Sequence, residues 1–465
     1  MDFSINRPVY LFSDDPIAHQ QRLVRRWFPA TVFPHPSLVP DQPYEGSFLA
    51  MFGTVVPLPD NRYRMYYQDF QHRGHWVAGR NPPGGKVMIA ESDDGFRWNK
   101  PSLDLVPLPG YPVSNTVILP GSGDSPSVIH DPTDTDNPWK LILFQHQPGT
   151  FDPSEPMWGL HAYFSRDGLR WVKHPDRVLQ AGDRTNVMPD RVNGHYVIYT
   201  RGTDTWTRYP GRTICRSESP DFIHWTQPEL VLFPDLDDEP DIEFYGMSVF
   251  ERHGWHFGLL EYWDGARDLL ATHLAISRDG IHWMRPARTP FIGPAFDWNR
   301  AWSGCASNGP LFIRDQMVFY FGGRWTSHSY DTAQQYGAIG YASLGIDRFC
   351  ALEATTGGQF ETAPLCWPGG ELELNADTRE SFNSHPGMCN GRIEVELFDA
   401  SGTPLPEWSG DNRGTFSGNT HCRNRINPGL VQWKSDRTLH TLQGRTFRIR
   451  FHLVHARLFT FSART

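Results

Sequence analysis

Five stretches of this 465-residue chain place a carboxylate just ahead of a short strand, each time at a comparable point in a recurring unit. They are Glu45 in Tyr44-Glu45-Gly46-Ser47, Asp124 in Gly123-Asp124-Ser125, Asp183 in Gly182-Asp183-Arg184, Asp241 and Glu243 in Asp241-Ile242-Glu243-Phe244-Tyr245, and Asp297 in Asp297-Trp298-Asn299. Several carboxylates brought to one place suit cleavage of a glycosidic bond. One must stay protonated to give a proton to the leaving oxygen, and another must be ionised, as nucleophile or as base on a water. Neighbouring charge and burial separate their pKa values, which is what the two roles need. Glu243 is the expected general acid, since Phe244 and Tyr245 beside it would desolvate it. Asp183 is the expected base or stabiliser, kept ionised by Arg184, and Asp241 stands in reserve. Arg201 is expected to bridge carboxylates. Asp124, Asn186, Asp241, Tyr245, Asp297, Asn308 and His328 are the expected contacts to sugar hydroxyls.

The elements that must position these groups are announced by a phrase, Ser-x-Asp-Gly-x-x-Trp or a close variant. It recurs at Asp94-Gly95-Phe96-Arg97-Trp98, Asp167-Gly168-Leu169-Arg170-Trp171, Asp221-Phe222-Ile223-His224-Trp225 and Asp279-Gly280-Ile281-His282-Trp283, with a reduced copy at Asp347-Arg348-Phe349. The aromatic positions 98, 171, 225, 283 and 349 lie 73, 54, 58 and 66 residues apart. A unit of that size cannot bury its own hydrophobic face, so units must stack on one another. Two or three short strands precede each phrase, as at Tyr63–Tyr67, Lys140–Phe144, Tyr196–Arg201 and Trp255–Tyr262. The fold class expected is therefore all-β, a five-bladed β-propeller over 41–350. The motif aspartates read as turn formers, because every blade carries one. After Phe349 the pattern changes to long alternating strands such as 392–398 and 446–452, which predict a C-terminal β-sandwich over 351–465. Residues 1–40, rich in proline, are expected as an irregular arm over the propeller.

Composition sets outer limits. Gly 42 and Pro 39 favour many short strands over long helices. Seventeen Trp and sixteen Tyr supply core area and leave aromatics to stack on sugar rings. A net charge of −9 gives no reason to expect nucleic acid, and no apolar run approaches a membrane span. With no signal-peptide pattern at Met1–Arg7, the expected location is cytoplasmic. Six scattered cysteines lack metal-ligand spacing, and His253/His256 fall at a hairpin, so no metal and no cofactor are expected.

The chain resembles the five-bladed propeller glycoside hydrolases, the superfamily of invertases, levanases, arabinanases and β-xylosidases, and within it a family-32-like bacterial group. The resemblance rests on Glu45-Gly46-Ser47, Asp131-Pro132, Tyr199-Thr200-Arg201, Glu243-Phe244-Tyr245-Gly246-Met247, Tyr320-Phe321-Gly322-Gly323 with His328, and Ile339-Gly340-Tyr341-Ala342. It extends to the tail at Gly357–Thr362 and Phe447–Phe451. That family sets three acids on separate blades, which by position fall on Glu45, Asp183 and Glu243. It implies a glycoside hydrolase acting on short furanosyl- or pyranosyl-containing oligosaccharides. Blade loops such as 71–84 and 145–158, long enough to wall the cleft into a pocket, lead to the expectation of attack from one end. The chain departs from the invertases in lacking Asn-Asp-Pro-Asn-Gly, Arg-Asp-Pro and Glu-Cys. Two rivals share the cleft: a glycoside phosphorylase, which needs a basic anion site drawn from Arg184, Arg201, Arg300, Arg324 and His328, and a non-catalytic carbohydrate-binding propeller.

Overall fold

The computed structural model describes residues 3–70, 85–119, 123–147, 152–190, 193–202, 211–329, 336–378, 391–420, 429–434 and 437–465. Its elements are strands and a few 3-10 turns. The chain divides into two compact units, one of residues 30–313 and 318–343, the other of residues 1–29, 314–317 and 344–465.

The first unit is a propeller of five blades. Blade two is the four-stranded sheet Gly123–His130, Trp139–Gln145, Gly159–Ser165 and Val172–Leu179. Blade three is Asn186–Asp190, His195–Gly202, Thr213–Ser219 and Glu229–Leu232. Blade four is Ile242–Arg252, Trp255–Asp264, Leu269–Ser277 and Trp283–Met284. Blade five is built on Trp302–Cys305, Gln316–Arg324 and Gly337–Gly345, and blade one on Phe48–Ala50, Tyr63–Phe70, Lys86–Ser92 and Thr116–Ile118. Single parallel bridges, Leu270 to Trp302 and Gly337 to Phe48, run blades four, five and one into a continuous sheet and close the ring. The middle strands are buried on both faces, as Trp139–Gln145 is throughout, because each blade is covered by its neighbours.

The recurring phrase makes the same turn each time. Ser92, Ser165 and Ser277 accept a hydrogen bond from the glycine amide three residues on, at 2.8–2.9 Å. The motif aspartate accepts from the two amides after that glycine at 2.8–2.9 Å, as Asp94 does from Phe96 and Arg97. These amides hold Asp167 down at about 2 despite its partial burial. The glycine itself has φ near +70 to +80°, and its carbonyl takes a hydroxyl from the preceding blade: Tyr66 to Gly168 at 2.7 Å, Tyr199 to Gly280 at 2.9 Å, Tyr320 to Gly95 at 2.6 Å. A Cβ at Gly280 would lie 2.6 Å from the Tyr199 hydroxyl, so the residue is glycine for reach as well as for φ. The motif tryptophans pack edge-on against those tyrosines, Trp98 on Tyr320 and Trp283 on Tyr199. The phrase is the joint between blades.

The second unit is a β-sandwich. One sheet runs Val9–Tyr10, Ala456–Arg464, Cys350–Ala354, Val24–Trp27, with Glu371–Asp377 also on Ala456–Arg464. The other runs Ile17–Gln21, Gly358–Thr362, Thr446–Val454, Arg392–Asp399, Gly414–Phe416. Thr446–Val454 alternates strictly between buried and part-exposed positions, one face on a core that holds Phe360, Trp367, Phe451 and Phe461. Residues 9–27, expected as an arm over the propeller, instead supply three strands to these sheets. Their short apolar stretches lack recognisable alternation, and pairing partners more than 300 residues away fix them as strands. Cys215, Cys305 and Cys350 are buried free thiols and Cys366 an exposed one; Cys389 and Cys422 lie outside the described residues.

Candidate active site at the propeller mouth

The entry ends of the blade-two and blade-three inner strands carry the same local device. Asp124 is followed by Ser125 at φ 55°, and Asp183 by Arg184 at φ 57°. A left-handed backbone at a residue other than glycine is sparsely populated and persists where surrounding structure fixes it. Here the Arg184 amide donates to Ser125 Oγ at 3.0 Å, so one address is tied to the next. The carboxylates of Asp124 and Asp183 therefore share one environment. Burial, and then the charge of Asp183, raise Asp124 to about 6, while its bond from Ser125 Oγ at 2.8 Å opposes the rise.

Asp183 forms an ion pair with Arg201, which comes from the end of the blade-three second strand. Arg184, expected to serve Asp183, turns inward instead. Its Nε donates to Glu261 at 2.7 Å and its Nη2 to the Cys305 carbonyl at 2.7 Å, with Glu261 also taking Nη2. Arg184 and Glu261 are 5% and 1% exposed. Room for this pair comes from two glycines: a Cβ at Gly246 would lie 2.9 Å from Glu261, and one at Gly304 2.7 Å from it. The left-handed backbone at Arg184 is what sends its side chain away from its own neighbour.

Blades four and five complete the wall. Tyr245 lies under two guanidiniums, with Arg201 and Arg212 at 5.1 and 5.3 Å from its ring. Its hydroxyl is 3.0 Å from His328 Nε2. Trp302 stacks on His328 at 5.6 Å, and Trp263 packs on the same imidazole at 5.5 Å. Burial, and then Arg324 and Arg212, drive His328 down to about 4, so the ring is neutral at physiological pH. Arg324 is clamped between Trp302 and Phe48, 3.9 and 4.2 Å from the two rings. Among the described residues, Arg201 Nη1 and Arg324 Nε are buried here without a hydrogen-bond partner.

Glu243 reaches the mouth but in another state than expected. Arg212 grips it through both its side chain and its backbone amide, and about a quarter of the side chain is exposed. Phe244, expected to desolvate it, is fully buried in the core between blades three and four, because successive residues of a strand face opposite ways. Glu45 does not join the mouth. Its side chain is fully buried, accepting from the Asp41 and Gln42 amides and the Tyr67 hydroxyl, each at 3.0 Å, and from Lys100 Nζ at 2.6 Å. Oε2 is fully engaged by three donors, and Oε1 faces the Tyr67 hydroxyl rather than the mouth. Asn186 and Asn308, expected to meet sugar hydroxyls, are struts between inner strands. Asn186 accepts the Val249 amide at 3.0 Å and donates to the Ser307 carbonyl, and Asn308 exchanges both bonds with Val55 at 2.8 and 3.0 Å. Asp241 and Asp297 are exposed, the latter opening a 3-10 turn, and Arg300 is spent on the Trp325 carbonyl. The structure thus brings together Asp124, Asp183, Arg201, Glu243, Tyr245 and His328. It adds Arg212, Trp263, Glu261 and Trp302, which the sequence reading passed over. Trp263 and Trp302 sit at strand termini on the entry side, the one signal that could have marked them.

Among the described residues no group of three or more His, Cys, Asp or Glu side chains is placed to hold a metal ion, and no helix is long and apolar enough to cross a membrane.

No protein-family model matches this sequence, and no curated protein does. Solved structures are similar in chain course. An N-acetylgalactosamine deacetylase from F. plautii, in complex with a blood group B trisaccharide, matches 71% of this chain and 97% of its own at 16% identity and a TM-score of 0.47. A β-1,2-mannobiose phosphorylase from Listeria innocua matches 69% and 97% at 11% identity, TM-score 0.45. A family 117 glycoside hydrolase from Zobellia galactanivorans matches 70% and 92% at 11%, TM-score 0.43. At these values the likeness carries no argument about what this chain acts on.

Proposed function

We propose that the chain is a glycoside hydrolase whose catalytic carboxylates are Asp124 and Asp183. The observation that supports this best is the unlike state of two adjacent acids. Asp124 is raised to about 6, so about half stays protonated at pH 6 and roughly a tenth at pH 7, whereas Asp183 is paired with a guanidinium. In hydrolysis, Asp124 protonates the glycosidic oxygen as it leaves. Asp183 stabilises the positive charge developing at the anomeric carbon, or activates the water that takes it. This moves the proton-donor role from Glu243 to Asp124. Glu243 with Arg212, Tyr245 with His328, and the free Nη1 of Arg201 are left to bind sugar hydroxyls, and Trp263 and Trp302 offer faces for a ring. The substrates are short oligosaccharides, furanosyl-containing ones first, attacked from one end. Of the two loops expected to wall the cleft, 71–84 lies outside the described residues, as do 148–151 of 145–158.

The test is product release from a panel of fructans, arabinans, xylans, galactans and aryl furanosides by the wild type, Asp124→Asn and Asp183→Asn. Turnover falling by roughly 10²-fold or more in both variants is expected for acid–base roles. Wild-type turnover that survives both substitutions would remove the assignment, and a wild type inert on the whole panel would favour a carbohydrate-binding propeller.

A further inference from the structure

Arg324 is 6% exposed, yet no described carboxylate lies within ion-pair reach of it and its Nε donates to nothing. The acids acting on it most strongly are engaged elsewhere. Glu261 is held by Arg184, Asp124 by Ser125 Oγ, and Asp268 accepts the Ser329 amide at 2.7 Å and Trp263 Nε1 at 3.1 Å. A buried charge without a partner is costly and is rarely kept without a use. The rings of Trp302 and Phe48 cover the two faces of the guanidinium, which leaves its N–H edge as the only direction for a bond. Below it, the cleft lined by Phe48–Phe52, Gly304 and Gly322 has no space for a water. Trp302, which carries Arg324 on its ring, also stacks on His328, whose Nε2 meets the Tyr245 hydroxyl at 3.0 Å, and Arg212 lies over the Tyr245 ring, so the Arg324 guanidinium neighbours that pair.

We infer that Arg324, with Arg212 and the neighbouring Tyr245–His328 pair, forms a subsite for one oxyanion, either a carboxylate carried by the sugar or inorganic phosphate. The inference rests on the mouth being the substrate site. An arginine edge fixed in plane is suited to the paired oxygens of either group. The neutral imidazole holds the Tyr245 hydroxyl at 3.0 Å without adding charge.

Calorimetric titration at constant ionic strength with glucuronate, galacturonate, inorganic phosphate and, for comparison, neutral galactose tests it. At least one oxyanion is expected to bind the wild type more tightly than galactose, a uronate and phosphate marking the two sources. Arg324→Gln is expected to weaken that binding about 10- to 100-fold, the range of a hydrogen bond to a charged group. Arg212→Gln, at a part-exposed position, carries the same expectation should the first variant not fold, and Arg300→Gln is expected to bind as the wild type does. No preference for any oxyanion, or unchanged binding in the folded variants, would overturn the subsite. Asp183→Asn separates the two ideas. Turnover lost there with no oxyanion binding leaves the hydrolase standing alone, and oxyanion binding lost in Arg324→Gln with turnover intact in Asp183→Asn does the reverse.

Discussion

Replacing Asp124 by Asn should change how stability depends on pH, in a direction and size set by its surroundings. The folded chain raises this carboxyl from 3.8 to about 6, chiefly by burial. The folded state then holds the proton more tightly than the unfolded chain does. Its contribution is fully present below pH 4 and is lost as pH rises through about 6. A rise of about two pH units is worth about 3 kcal/mol at 1.36 kcal/mol per unit. Asp124 is only half-buried by area, so solvent screening reduces this to about 1–2 kcal/mol. Asn is isosteric, cannot titrate, and keeps an oxygen for Ser125 Oγ. Urea unfolding of the propeller transition at pH 4.5, 6 and 7.5 would measure the difference between wild type and variant. Asp124→Asn should gain about 1–2 kcal/mol on the wild type between the lowest and highest pH. Parallel curves would mean that the carboxyl titrates normally, and the reasoning from burial and Asp183 would fail.

Three further outcomes follow from the geometry. Glu45→Gln should cost about 2–3 kcal/mol in unfolding experiments, since it weakens a buried pair with Lys100, while kcat per folded molecule stays within about threefold; a loss of activity without loss of stability would restore Glu45 to the mechanism. Tyr320→Phe leaves the Gly95 carbonyl without its 2.6 Å donor where the ring closes, and should lower stability by about 1–3 kcal/mol in the same assay. Gly280→Ala should cost more than about 1 kcal/mol, because it adds left-handed strain to a clash with the Tyr199 hydroxyl, and circular dichroism melts would register it.

The propeller was legible because its signal is repeated. Four copies of one turn phrase mark the turn into each outermost strand, and the structure assigns that phrase the joint between blades. The alternation at 446–454 likewise announced the sandwich, whereas Val9–Tyr10 and Val24–Trp27 are too short to carry a pattern and are fixed by distant partners. Side-chain direction at the mouth was not legible. Position along the strand put Glu45, Asn186 and Asn308 with Asp183, but bonds made across blades commit them to structure. Adjacency put Arg184 with Asp183, but a positive φ turned it toward Glu261, 77 residues on. Arg212 and Trp263 reach the site from strand ends that no repeat marks.

The central claim is that Asp124 delivers the proton and Asp183 stabilises the charge. Kinetics of Asp124→Asn and Asp183→Asn on two glycosides of the same sugar tests it most directly, one an oligosaccharide and one with a dinitrophenyl leaving group that needs no proton. The account predicts that Asp124→Asn loses roughly 10²-fold or more in kcat/KM on the oligosaccharide but less than about tenfold on the dinitrophenyl glycoside, while Asp183→Asn loses roughly 10²-fold or more on both. Equal losses of Asp124→Asn on the two substrates, or no loss in either variant, would contradict it.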